Sequence, residues 1–171
     1  LMNEQRNTNI ETKRPSLSAV ICDLDGVLTD TETLFMNAID HLLSEEKLQP
    51  LKFEEARQLV GLDNESIWKQ LNILRGLGLS MEEYTQRIDL LARDRFEKDL
   101  VPIPGAINFL SSVRELKIPL ALATSADRDR ALLRLRLMDV ETMFDAIVTR
   151  NEVKVAKPDP SIYIEASRQI G

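Results

Sequence analysis

The stretch ICDLDGVLTD, residues 21–30, places two carboxylates, Asp23 and Asp25, one residue apart at the end of an apolar run, and Gly26 follows them. The run itself, LSAVICDL over residues 17–24, has the length and β-branched content of a strand buried on both faces. Period-two alternation puts Asp23 and Asp25 on one side of an extended chain, so both face one small site. Two nearby carboxylates repel unless a cation or a shared proton relieves them. Hard oxygen donors of this kind suit a divalent metal, most simply Mg²⁺. Gly26 then permits an irregular turn and a close approach of backbone to ligand.

Upstream of this strand, residues 1–16 (LMNEQRNTNIETKRPS) are polar, lack an apolar signal core and read as a flexible tail. Downstream, residues 31–100 carry helical periodicity with almost no strand signal: ETLFMNAIDHLLSEE, KFEEARQLV, NESIWKQLNILRGLG and SMEEYTQRIDLLARDRFEKDL. Asn64 and Ser80 are the expected N-caps, with Glu83 at capping-box distance from Ser80. Strand and helix then alternate: VPIPGA leads into the helix GAINFLSSVRELK, then come the strand IPLALATSA, a helix from near Asp127, the strand FDAIVTR and a last helix in DPSIYIEASRQIG. This rhythm predicts an α/β fold, a doubly wound parallel sheet of Rossmann-like type. Residues 17–30 and 101–171 form its core, and residues 31–100 form an all-α insertion.

Composition narrows the function. A net charge of −6 and a pI near 5.0 argue against a sequence-independent grip on nucleic acid. No apolar run approaches the roughly 18 residues a membrane helix needs, so no membrane partner is expected. A single cysteine, Cys22, forms no internal disulfide and fits a reducing, cytoplasmic setting. Small anionic molecules stay open as ligands, because local charge can oppose the global sign.

In an open parallel sheet, ligands gather at the carboxyl ends of the strands. Three polar groups stand at such ends: Asp23 with Asp25, Thr124 with Ser125, and Lys157 after the third strand. The string from Asp23 to Asp30 resembles the DxDG(V/T)(L/I)xD signature of the haloacid dehalogenase superfamily of phosphatases and phosphomutases. LALATSA resembles that family's second motif and KVAKPDPSIY its third, while the helical insertion resembles its α-helical cap. The resemblance covers residues 17–171 and implies a role for each position. Asp23 is the expected nucleophile, forming an aspartyl phosphate and helping to bind Mg²⁺. Asp25 is the expected proton donor and acceptor, with its backbone carbonyl as a second metal ligand. Thr124, Ser125 and Gly26 are expected at the phosphate, and Lys157 neutralises charge on nucleophile and phosphoryl group. In the cap, Gly61 and Asn64 are the expected substrate contacts.

The family's fourth motif, an acidic pair at the end of the next strand, falls beyond Gly171. The expectation is therefore a fragment or truncated frame lacking the fourth and fifth strands. The resemblance further implies a phosphatase for a sugar phosphate or phosphoglycolate-like acid. The alternatives are a β-phosphoglucomutase-type phosphomutase, whose cap-loop Arg and post-motif His are replaced here by Asn64 and Phe35, a departure toward the hydrolases, and a truncated non-catalytic remnant. Other residues carry plainer expectations: Cys22 a buried structural thiol, His41 a surface position, Trp68 and Phe35 cap packing, and DRDRALLRLR a solvated helix face.

Overall fold

The computed structural model describes residues 17–171, so the expected tail over residues 1–16 lies outside the described residues. Three parallel strands, β1 (Val20–Cys22), β2 (Leu120–Ala123) and β3 (Ala146–Val148), form one sheet in the order β1-β2-β3. Val20 lies opposite Leu120, and Ala121 opposite Ala146. β1 is shorter than the apolar run that contains it. The Leu24 carbonyl accepts from the N–H groups of Leu28 at 2.9 Å and Thr29 at 3.3 Å, a turn that pulls the chain out of the sheet before Asp25.

Side-chain alternation along β2 decides what covers each face. Leu120 and Leu122 join Cys22, Leu110, Val113, Ala131 and Leu135 in one apolar cluster. That face is covered by α5 (Ala106–Glu115) and α6 (Arg128–Leu137). Ala121 and Ala123 point the other way, into a cluster with Val148, Ile162 and Ala166, where α7 (Ser161–Ile170) packs. The result is a sheet wound on both faces, as a run buried on both sides requires.

Between β1 and α5 the chain builds four helices: α1 (Thr31–Glu45), α2 (Phe53–Leu59), α3 (Asn64–Arg75) and α4 (Met81–Asp99). Their apolar residues recur at helical spacing, Ala38, Ile39, Leu42 and Leu43 on α1 and Tyr84, Ile88, Ala92 and Phe96 on α4, and meet in a separate cluster. Ser80 caps α4 in the expected box with Glu83. The cap of α3 is Asp63, whose side chain accepts from the Ser66 N–H at 2.8 Å; Asn64 is the first helical residue. This corrects the expectation for Asn64: the carboxylate one position earlier is the better acceptor for a helix N-terminus.

Arg75 anchors the loop ahead of α2. Its guanidinium pairs with Glu55 and donates to the carbonyls of Gln49 and Pro50, each at 2.9 Å. Trp68 packs in the helical cluster and donates its indole N–H to the Leu79 carbonyl at 2.9 Å. Cys22 is buried as expected, and burial, reinforced by the Asp23 charge, pushes its thiol pKa up. His41 is half-buried rather than fully at the surface, with Nε2 at 3.8 Å from Glu45.

The chain crosses between sheet and helices twice, and the two crossings touch. Thr29 is fully buried; its hydroxyl donates to the Val101 carbonyl at 3.0 Å, and its backbone bridges to Pro102. The Ile103 N–H donates to the Leu28 carbonyl at 2.8 Å.

Candidate active site

The carboxyl ends of the strands bring together the charged groups that the sequence separates. Asp23, just past β1, accepts the Leu24 N–H on Oδ1 at 2.8 Å, and its Oδ2 lies 2.9 Å from the Lys157 ammonium. Lys157 also donates to the Ala123 carbonyl at the end of β2, at 2.9 Å, and lies 4.9 Å from the centroid of the Tyr163 ring on α7. One ammonium thus ties two strand ends and a helix to the first carboxylate. A cation held there offsets negative charge on Asp23 and on any anion brought to it.

Asp25 has a different set of partners. Its Oδ1 accepts from the Thr31 hydroxyl at 2.6 Å and from Arg134 Nη1 at 2.6 Å. Arg134 comes from α6, is 10% exposed along its side chain, and stacks its guanidinium 4.7 Å from the centroid of Phe96 on α4. Burial holds the Arg134 pKa below its ordinary value, with the Asp25 charge acting against that effect. This corrects the expectation of a solvated face for DRDRALLRLR. Arg134 shares the inner stripe of α6 with Ala131 and Leu135, three and four residues apart on one side of the helix. That stripe, an arginine standing within an apolar row, is the signal in the sequence that marks it. Thr31, also absent from the expected site, opens α1 and is recognisable only as the hydroxyl after the acidic string.

Thr124 is fully buried, its hydroxyl oxygen accepting the Ala126 N–H at 3.1 Å and its N–H donating to the Val148 carbonyl at 3.0 Å. The next residue, Ser125, is the exposed one. Gly26 takes φ of 73°, and its N–H donates to the Thr29 carbonyl at 2.9 Å, so the described structure uses that amide to close the turn. The glycine supplies the backbone freedom that this turn requires.

Above Asp25 lies an open cleft of about 350 Å³ between the sheet and the helical layer. The strand side contributes Asp25, Ser125, Arg130, Arg134 and Arg150; the helical side contributes Phe35, Met36, Val60, Gly61, Leu62, Asn64 and Phe96. Gly61 and Asn64 thus reach the same cleft as Asp25, while Asp23, Thr124 and Lys157 lie outside its lining. Phe35 borders the cleft as well as packing in the helical cluster, whereas Trp68 takes no part in it.

The donor chemistry suits a hard divalent cation. Among the described residues no three His, Cys, Asp or Glu side chains form a ready-made cage. The Asp23 carboxylate supplies an anionic oxygen donor and the Asp25 backbone carbonyl a neutral one, and Mg²⁺ is commonly held by one or two carboxylates, with water and substrate phosphate completing its shell.

The chain is similar to several known proteins. A phosphorylated carbohydrates phosphatase of Thermotoga maritima is 35% identical over 148 residues, 86% of this chain and 68% of the relative. A phosphoglycolate phosphatase of Caulobacter vibrioides is 26% identical over 83% of this chain and 61% of its own length. Among solved structures, a candidate β-phosphoglucomutase from Thermotoga maritima superposes with a TM-score of 0.81 at 33% identity, covering 90% of this chain and 70% of that one. The chain therefore spans between three fifths and about 70% of the length of these relatives. No helix among the described residues is long and apolar enough to cross a membrane. The profile of the haloacid dehalogenase-like hydrolases matches residues 20–171, and with the paired acids, the hydroxyl-bearing turn and the lysine all at strand ends, the chain belongs to that family.

Proposed function

We propose that this chain carries the phosphoryl-transfer site of a Mg²⁺-dependent phosphatase acting on a small phosphorylated metabolite, a sugar phosphate or a phosphoglycolate-like acid. The observation that carries the reading is the Asp23–Lys157 pair at 2.9 Å, set at the strand ends beside a second carboxylate that opens on the cleft. In this reading a carboxylate oxygen of Asp23 attacks phosphorus, the ester P–O bond breaks, and the leaving oxygen takes a proton from Asp25. Water then gives a proton to Asp25 and attacks the aspartyl phosphate, releasing phosphate and restoring Asp23. Lys157 offsets charge on both partners, and the Thr124–Ser125 turn holds phosphoryl oxygens. The Asp23 carboxylate and the Asp25 backbone carbonyl would hold Mg²⁺, which supplies further neutralisation of phosphoryl charge.

Residues 31–100 act as a cap in this reading, with Gly61 and Asn64 presented to the leaving group and bulk water excluded on closure. The names of the two phosphatase relatives support the substrate class. The buried, unpaired thiol of Cys22 fits a cytoplasmic setting. A phosphomutase is the second reading, favoured by the solved candidate β-phosphoglucomutase. A coupled assay on β-glucose 1-phosphate, run against phosphate release, separates the two.

The test is acid quenching during turnover of a phosphate ester, followed by mass spectrometry of the Asp23 peptide. Phosphate on Asp23, lost in Asp23→Asn together with at least about 10⁴-fold in kcat, is the expected result. Undiminished turnover by Asp23→Asn defeats the reading.

A further inference from the structure

We infer that Arg134 is a positioning residue that fixes which oxygen of Asp25 carries the transferable proton and ties that choice to the seating of the helical layer. The inference rests on the phosphatase reading above. Oδ1 of Asp25 accepts two hydrogen bonds, from Thr31 and Arg134, both at 2.6 Å. Both are donors in this arrangement, and a guanidinium can only donate. An oxygen so engaged is held as the acceptor, so the proton of a protonated Asp25 sits on Oδ2, which has no hydrogen-bond partner among the described residues. Asp25 lines the cleft, so Oδ2 is the atom left for the leaving group.

Arg134 itself is held from the other side of the cleft. It stacks on Phe96 of α4 at 4.7 Å, and one turn earlier on α6, Arg130 pairs with Asp89 of α4 at 2.7 Å. Its Nε is buried with no partner among the described residues, so the stacked ring and Asp25 are what orient the guanidinium. If α4 moves away, the stack opens and Arg134 loses the surface that aims it at Asp25. The aim of Arg134 at Asp25 therefore depends on where α4 sits.

Leaving groups test this directly. kcat/KM reports the steps up to release of the leaving alcohol, in which the Asp23 oxygen forms a bond to phosphorus, the ester bond breaks and the Asp25 proton passes to the departing oxygen. An alkyl phosphate needs that proton; p-nitrophenyl phosphate, whose leaving group is already stable as an anion, scarcely does. In the full protein with Mg²⁺, Arg134→Met is expected to lower kcat/KM for an alkyl phosphate about 10²-fold, the scale of a small misplacement of a reacting group, and to affect p-nitrophenyl phosphate far less. Arg134→Lys keeps the charge but not the planar stacked fork and falls between. Phe96→Leu, which removes the ring and leaves the ion pair, shifts the ratio in the same direction by a smaller factor and guards against misfolding of the arginine variants. An unchanged ratio of the two esters in Arg134→Met and Phe96→Leu, with the unsubstituted protein active, overturns the role of Arg134 alone. An unsubstituted protein inert toward both esters overturns the phosphatase reading and this inference with it.

Discussion

The four helices over residues 31–99 gather their large buried side chains, Tyr84, Ile39, Leu42, Leu43, Leu71 and Ile88, into a single cluster, whereas the sheet divides its interior between two opposite faces. The helical layer adds ties at its rim: Arg75 on Glu55, Arg87 on Glu45 and Glu46, and the Ser80–Glu83 box. The strand ends instead place charge where apolar burial stops, with Asp23 and Asp25 each held by a cation. One region concentrates apolar packing in a single cluster, and the other sets paired charge at the edge of its apolar interior. The difference teaches that substitutions should sort by region: those at the strand ends change rate, and those inside the helical cluster, Phe96 at its border with the cleft apart, change stability.

The largest expected effect tests the chemical side of that division. Lys157→Ala removes the cation beside Asp23 and should lower phosphatase kcat by about 10²–10³-fold, while thermal melts show a stability change under about 1 kcal/mol, as for a partly exposed pair. A collapse of the fold instead would make Lys157 a structural tie between strand ends. Next comes the helical side. Leu42→Ala empties a fully buried position and should cost about 3 kcal/mol. Trp68, the one tryptophan of the chain, reports on the helical layer. Its fluorescence should therefore melt earlier than the far-UV circular dichroism of the whole. Coincident transitions would show one cooperative unit and break the comparison.

Smaller effects sharpen it. Tyr84 is fully buried with its hydroxyl unpartnered among the described residues, and burial pushes its phenol pKa up. Tyr84→Phe deletes the unsatisfied group and should stabilise the protein by about 1 kcal/mol in denaturant melts, since an unmet buried hydroxyl costs about that much. The smallest effect concerns Asp145, which links β3 to the start of β2 and to α5. The Leu120 N–H, and then the Arg114 guanidinium, hold its pKa below the ordinary carboxylate value. A depressed pKa in the folded state contributes stability above the unfolded value, and that contribution is lost as pH falls through the folded one. Melting temperature should decline in acid, and Asp145→Asn should flatten that slope. An unaltered slope would remove Asp145 from the account.

Much of this was legible in the residues themselves. The alternation of strand and helix, and the convergence of Asp23 and Lys157, could be read because strand periodicity and the motifs that resemble the family's both point to the strand ends. The helical region showed itself through its 3.6-residue period. Strand lengths were harder: the apolar run over residues 17–24 continues past the point where the turn at Leu24 withdraws the chain from pairing. Arg134 was missed for an instructive reason. Its neighbours Arg130 and Arg136 are exposed and the segment is rich in charge, so the average pattern of α6 describes a wet helix while one position on it faces inward. The cap of α3 was displaced by one residue because Asp63 and Asn64 both suit the role, and only backbone direction separates them.

The seam formed by Thr29, Val101 and Pro102 has a mechanical meaning. Two chain passages fastened side by side form one seam, and any sideways displacement of the helices over the strand ends requires breaking the buried Thr29 hydroxyl contact.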